Sequence, residues 1–266
     1  MMNRMIICLF CLLVFWGCDN TNLDLATQAG IDVIKAATLS DKDVELLAAK
    51  ASKQSDSKNS IAGIQHPYGM RLEKLVGDRY NSNGYVFDFK VYLSPEINAF
   101  AMSDGTIRIY SGLMDMMNDE EVLFVVGHEM GHVVEKHIKK KIMLAYAASA
   151  VRKGVASQEN LAGDVARSFL GEFAQTLLNA QFSQAEEKEA DDFGLLFIKN
   201  HGVDINAAVT ALKKLAGLGK NHSFLSSHPD PALRADRLQK QIASPGKIEG
   251  QSFLDKFIAS IIRLFP

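Results

Sequence analysis

The sequence predicts an α+β fold, mainly helical with one small β-sheet. Two observations carry this. From Gly84 to Tyr110 apolar residues alternate with polar ones and are interrupted by turn residues, which is a strand pattern. Beyond Leu113 the apolar spacing becomes helical and is punctuated by capping residues. The composition agrees. The 266 residues are 47% hydrophobic and 23% charged, the balance of a globular chain able to bury a core. With 29 basic against 31 acidic residues the chain lacks the positive footprint of a nucleic-acid binder.

Taken in order, the chain opens with Arg4 and an apolar run from Met5 to Trp16. This has the form of a secretory signal and is shorter than the roughly 20 residues a membrane-spanning helix needs. All three cysteines, Cys8, Cys11 and Cys18, lie in this segment, so the rest of the chain cannot form a disulfide. Cys18 directly follows Gly17 at the end of the apolar run and resembles the lipidated cysteine of a bacterial lipoprotein, although Phe15 and Trp16 are bulkier than such signals usually carry. Residues 1–17 are therefore expected to be a lipoprotein-type signal peptide and Cys18 the site of lipidation. Asp19 resembles an inner-membrane retention signal, which favours that leaflet.

Residues 18–60 read as a tether and helical arm, with Leu23, Ile31, Ile34, Leu39, Leu46 and Leu47 as apolar positions. Three strands follow. Tyr85, Phe87, Phe89, Val91 and Leu93 share one face of the first, and residues 98–102 and 106–110 form a hairpin about Ser103-Asp104-Gly105. Asn118 or Asp119 then caps a helix with Glu120 and Glu121 in its first turn and Lys139 to Lys141 in its last. Further helices are expected at 142–152, 160–182, 183–199, 204–217 (capped by Asp204) and 231–242, the last opened by Pro231. The ten-residue apolar run Ile142 to Val151 is too short to span a bilayer and is expected to be a buried helix. A main domain at 61–243 and a linker with a C-terminal amphipathic helix at 244–266 complete the organisation.

The chemistry is concentrated in His128-Glu129-Met130-Gly131-His132. Histidines four apart stand one above the other on a helix, so both can reach one ion while the adjacent glutamate reaches a water on that ion. This is the zincin arrangement, and such sites need a third protein ligand and an open fourth position. Ile138 and Glu135 stand where a metzincin would have His and Gly, which excludes that branch. His137, five residues from His132, is expected to point round the helix to the surface. Downstream, Glu187 and Asp191 lie four apart, so one can ligate while the other holds a ligating histidine by its N–H.

Asn98-Ala99-Phe100-Ala101, Gly105-x-Ile107-x-Ile109-x-x-Gly112-Leu113, the HExGH segment, Glu187-x-Glu189-Ala190-Asp191 and Ser227-His228-Pro229 follow one another in an order that resembles the M48 family of gluzincin metallopeptidases, in its periplasmic, lipoprotein-like and BepA-like branches. The resemblance covers about residues 60 to 242, and Gln184 departs from the arginine usual there. It implies a zincin-like metallopeptidase domain with one zinc ion per chain held by His128, His132 and Glu187. Glu129 would be the general base and Asp191 a carboxylate supporting the ligands.

The resemblance further implies that Asn98, Ala99, Phe100 and Ala101 form an edge strand lining the cleft and pairing with substrate backbone, and that the loop of His228 lies near the metal. There His228 would stabilise an oxyanion or occupy the fourth position as an inhibitory ligand; the alternative is a plain loop histidine. Arg234 is expected to be a surface or salt-bridge residue, and His66, His201 and His222 loop or cap residues. The implied activity is a zinc-dependent endopeptidase of the bacterial envelope. It would act on unfolded or misfolded envelope polypeptides, be lipid-anchored and periplasm-facing, and be open to an envelope assembly complex. The alternative is a zinc-loaded, chaperone-like binding or assembly factor with latent proteolysis.

Overall fold

The structure, a computed structural model, describes residues 22–77, 79–82, 85–157, 181–219 and 222–244. The signal segment with Cys18, nearly all of the helix expected at 160–182 and the C-terminal amphipathic helix lie outside these residues. Ten helices and four strands are described. Helices α1 (Leu23–Thr38), α2 (Asp41–Lys58) and α3 (Pro67–Val76) precede strands β1 (Arg79–Ser82), β2 (Tyr85–Tyr92), β3 (Ala99–Ala101) and β4 (Thr106–Tyr110). Then come α4 (Ser111–Met116), α5 (Asp119–Val134), α6 (His137–Ala156), α7 (Gln184–Asn200), α8 (Asn206–Gly217), α9 (Ser223–Ser227) and α10 (Pro231–Ala243). The expected α+β class is what is found. None of the described helices is long and apolar enough to cross a membrane.

The described residues fall into two compact units, 22–39 with 142–157, and 40–141 with 181–244. In the first unit, buried Asp32 accepts hydrogen bonds from Ser149 Oγ and Lys153 Nζ, each at 2.7 Å. Burial works to raise its pKa, but these two donors hold it below the usual carboxylate value. The run Ile142 to Val151 is not the buried helix expected from its composition. Ile142, Ala145 and Ala150 are buried, whereas Leu144 and Val151 are each 69% exposed, so only one stripe of the helix is covered.

The second unit contains the sheet, in the order β1-β2-β4-β3. β1 is antiparallel to β2, β2 is parallel to β4, and β4 forms the expected hairpin with β3. Gly105 turns that hairpin at φ 88°, a conformation glycine adopts at little cost. β1 is a fourth strand where the sequence pattern suggested three. The alternation along β2 holds, with Phe87, Phe89 and Val91 buried against Ile107, Ile109, Val122 and Val126.

The helix expected to run from 119 to 141 is two helices. Asn118 and Glu121 form a reciprocal capping box at the start of α5, as its acidic first turn suggested. α5 then stops at Val134, Lys136 takes a left-handed φ of 57°, and α6 begins at His137. Lys139 to Lys141 thus open α6 rather than close α5. Lys136 and Lys139 instead bind the two oxygens of Asp41, which they hold at a pKa of about 2. Asp204 likewise sits before α8 rather than at its cap, accepting a hydrogen bond from Asn206 N.

Candidate metal centre

Helices α5 and α7 cross closely because they meet at glycines. A Cβ at Gly131 would lie 3.0 Å from Ala190 Cα, and one at Gly194 would lie 3.0 Å from His128 N. This approach faces His128, Glu129 and His132 across to Glu187 and Asp191, all at most 2% exposed. Ser183 caps α7 with Glu186 in a second capping box, which fixes where Glu187 stands.

His128 Nε2 and His132 Nε2 are 3.1 Å apart, and they lie 3.6 and 3.5 Å from the two Glu187 oxygens. Zinc bonds of about 2.0–2.1 Å at a tetrahedral angle place donors about 3.3 Å apart, so these separations fit one ion. The fit is supported by a buried oxygen with no hydrogen bond, Glu129 Oε1. Such atoms are costly unless something positive faces them. Two neutral imidazoles and a carboxylate suit zinc.

His228 enters as a fourth donor. The short helix α9, capped by His222, carries it inward, and its ring stacks on Phe224 at a centroid distance of 4.3 Å. Its Nδ1 lies 3.0 Å from Glu187 Oε1 and 3.3 Å from His128 Nε2, and its Nε2 lies 3.4 Å from Glu129 Oε1. The four groups His128, His132, Glu187 and His228 are close enough together to hold one ion. The plain-loop alternative for this histidine does not describe what is found.

Arg234 is a correction to the surface reading. It is buried, donates to Asp191 through Nε and Nη2 at 3.0 and 2.6 Å, and faces Glu187 Oε2 through Nη1. Burial disfavours charge on both carboxyls, yet the guanidinium holds Asp191 and Glu187 well below the usual carboxylate range, helped at Glu187 by His228. Asp191 Oδ1 in turn lies 3.1 Å from His128 Nδ1. The sequence signal that was available is Pro231 opening a helix directly after the His228 loop, with Arg234 one turn on.

His137 is a second correction. It is fully buried, with Nδ1 3.0 Å from His132 Nδ1 and Nε2 2.8 Å from Glu189 Oε2. Burial lowers its pKa and that of His132, which favours the neutral rings. Phe182 stacks on His132 at 3.8 Å between centroids, and Lys141 Nζ lies over the Phe182 ring at 4.2 Å from its centroid. His66 and His222 cap helices and His201 ends one, as expected.

A mainly helical α+β fold with an HExxH helix, a glutamate from a second helix and donors spaced for one tetrahedral ion defines the gluzincin class of zinc metallopeptidases. Comparison with known proteins is more specific. Residues 70–242 match the model of Peptidase family M48, and the chain belongs to that family. It is 38% identical over 234 residues to the metalloprotease YcaL of Escherichia coli, covering 86% of this chain and 92% of that one. It is 39% identical over 236 residues to the metalloprotease LoiP of the same organism, covering 88% and 94%. A beta-barrel assembly-enhancing protease of Yersinia pestis is 29% identical over 186 residues, covering 64% of this chain and 38% of that one. The protein is a zinc metalloendopeptidase.

Proposed function

We propose that His128, His132 and Glu187 hold the zinc, that Glu129 is the general base, and that the enzyme trims or degrades misfolded polypeptides in the bacterial envelope. The observation that carries this is the orphaned Glu129 Oε1, buried beside the donor set with no hydrogen-bond donor of its own. Zinc, when bound, supplies Lewis-acid chemistry, acidifying water and polarising a carbonyl. Glu129 takes the proton of the attacking water and delivers it to the leaving amine. Asp191 accepts the Nδ1–H of His128 and so aims its Nε2 into the site, while Arg234 clamps Asp191 from behind.

Substrate is captured on β3. In an antiparallel pair alternate residues bond the partner strand, and Asn98 and Met102 bond β4 through Tyr110 and Thr106. Ala99 and Ala101 therefore turn backbone away from β4 on the outer strand of the described sheet, Ala101 partly exposed and Ala99 buried. Main-chain pairing there gives affinity with little sequence selectivity, which suits unfolded chains. The envelope placement rests on the signal-like residues 1–17 and on Cys18 as a lipid anchor with Asp19 favouring the inner membrane. The names of the assembly-enhancing relatives support an envelope protein substrate or assembly complex.

His228 occupies the position substrate and water need, so the described conformation is a closed one, and its loop gates the site. This same contact favours the second reading, a zinc-loaded holding factor whose proteolysis is latent. The experiment compares wild type, Glu129→Gln and His228→Ala on unfolded casein with bound zinc quantified. Cleavage is expected to fall at least 100-fold in Glu129→Gln with zinc retained, and to rise in His228→Ala. Zinc in all three proteins with no cleavage by any of them would leave the holding reading.

A further inference from the structure

The two histidines of the HExxH helix are oriented by different devices. His128 leans on a buried carboxylate, Asp191. His132 has no carboxylate at Nδ1; its neighbour there is another imidazole, His137, which in turn reaches Glu189 at the protein surface. We propose that His137 and Glu189 form a positioning arm for His132, a two-residue relay that fixes its tautomer and ring angle for metal binding. The proposal rests on the reading of His132 as a zinc ligand.

The atoms determine the direction of every hydrogen bond. His132 turns Nε2 toward Glu187 and His128, so Nε2 must be bare to ligate and the proton sits on Nδ1. At 3.0 Å that Nδ1–H donates to His137 Nδ1, which must then be the bare nitrogen. His137 therefore carries its proton on Nε2 and donates to Glu189 Oε2 at 2.8 Å. One assignment satisfies all three groups, and it is also the one in which His132 is ready for a cation. An imidazole polarised by a carboxylate is a better acceptor than one alone, so Glu189 acts on the ligand through His137.

Backbone geometry shows how the arm is built. A continuous helix would carry residue 137 away from the ligand face. The break at Lys136, with its left-handed φ of 57°, restarts the helix at His137 and returns that ring to His132. Glu189 projects from α7, the helix that also provides Glu187, so one element carries both the ligand and the far end of the relay. Because Glu189 is 52% exposed, its replacement leaves the core intact.

The test measures zinc affinity by chelator competition on metal-free protein carrying His137→Phe, His137→Asn, Glu189→Ala and the double variant His137→Phe/Glu189→Ala, with His132→Ala as reference. His137→Phe is expected to weaken zinc binding by roughly 10–100-fold, the usual effect of removing such a partner. His137→Asn, whose side-chain oxygen can accept from His132, recovers most of it. A residue that only fills space would rank Phe above Asn, so zinc binding that is tighter in His137→Phe than in His137→Asn overturns the proposal. Glu189→Ala should weaken binding several-fold in the wild-type background and not at all in the His137→Phe background; equal effects in both would also overturn it. If His137→Phe does not fold, Glu189→Ala and His137→Asn decide, and zinc affinity unchanged in Glu189→Ala counts against the arm. Retention of full zinc affinity by His132→Ala would instead sink the underlying ligand reading.

Discussion

Two arginines are buried among the described residues, and each is held between two carboxylates. Arg108, on β4, donates from Nε and Nη2 to Asp56 at 2.8 and 3.0 Å and from Nη2 to Asp88 at 2.8 Å, with Lys90 and Tyr92 closing on the same Asp56. Arg234, on α10, meets Asp191 and Glu187. The difference lies in what surrounds the carboxylates. Asp56 and Asp88 keep 18% and 43% of their side-chain surface in solvent, whereas Glu187 and Asp191 keep at most 1%. The Arg108 cluster closes on itself and fastens α2 to the sheet. Beside the Arg234 cluster, Glu129 Oε1 is buried without a hydrogen bond. A buried network completed by the protein is structural; one left incomplete is a place for something else to bind.

The sharpest way to break this comparison is to remove each guanidinium in turn. Arg234→Met strands buried carboxylate charge and is expected to cost about 3–5 kcal/mol in metal-free protein, whereas Arg108→Met, whose carboxylates keep contact with solvent, is expected to cost less. Zinc should separate them. In Arg234→Met the ion meets two carboxyls that have lost their cation, so added zinc stabilises this variant more than it stabilises wild type. In Arg108→Met the gain from zinc equals that of wild type. Urea unfolding with and without zinc measures both, and equal zinc responses in the two variants would remove the distinction.

A smaller effect is expected from the glycines that set the distance between the helices carrying the metal donors. Gly131→Ala places a methyl 3.0 Å from Ala190 Cα and from Phe193 Cβ. Overpacking of this kind costs about 1–3 kcal/mol, and because it pushes α5 from α7 it should also weaken zinc binding. Gly154→Ala, where nothing lies within 4 Å of the new carbon, should be neutral or stabilising by up to about 1 kcal/mol and leave zinc affinity unchanged. Calorimetry and zinc titration of the two variants decide. Unaltered zinc binding in Gly131→Ala would mean that the donors tolerate helix separation.

The sequence was readable where local chemistry determines the geometry. The i, i+4 spacing of His128 and His132, that of Glu187 and Asp191, the cap at Asn118, and the Gly105 hairpin each act within a few residues. What was missed depends on contacts distant in sequence or on one backbone dihedral. His137 was misplaced because helical periodicity was carried across Lys136, where the chain leaves the helix. Arg234 was underestimated because its partners lie 43 and 47 residues away, on a helix whose approach no local pattern specifies. The burial of Arg108 has the same origin, since Asp56 is 52 residues distant.

Acid should sharpen the comparison by the smallest increment. Burial tends to raise the pKa of Asp56, but its bonds to Arg108, Lys90 and Tyr92 prevail and hold it well below its ordinary value of 3.8. A carboxyl depressed in the folded state contributes stability that is present above its unfolded pKa and lost as pH falls through the folded one. Stability should therefore begin to decline near pH 4 and continue falling toward pH 2. Without the guanidinium the depression shrinks, so Arg108→Met should lose about 1 kcal/mol less than wild type across those two pH units. Asp191, depressed by Arg234, should give Arg234→Met the same shallower slope in metal-free protein. With zinc bound the wild-type decline should steepen, because Glu187 and the histidines must then release the ion as they protonate. Chemical unfolding at pH 5, 4, 3 and 2 follows all of these slopes. A slope in Arg108→Met as steep as in wild type would show that Lys90 and Tyr92 alone hold the Asp56 charge, and that the sheet-side cluster is closed even without its arginine.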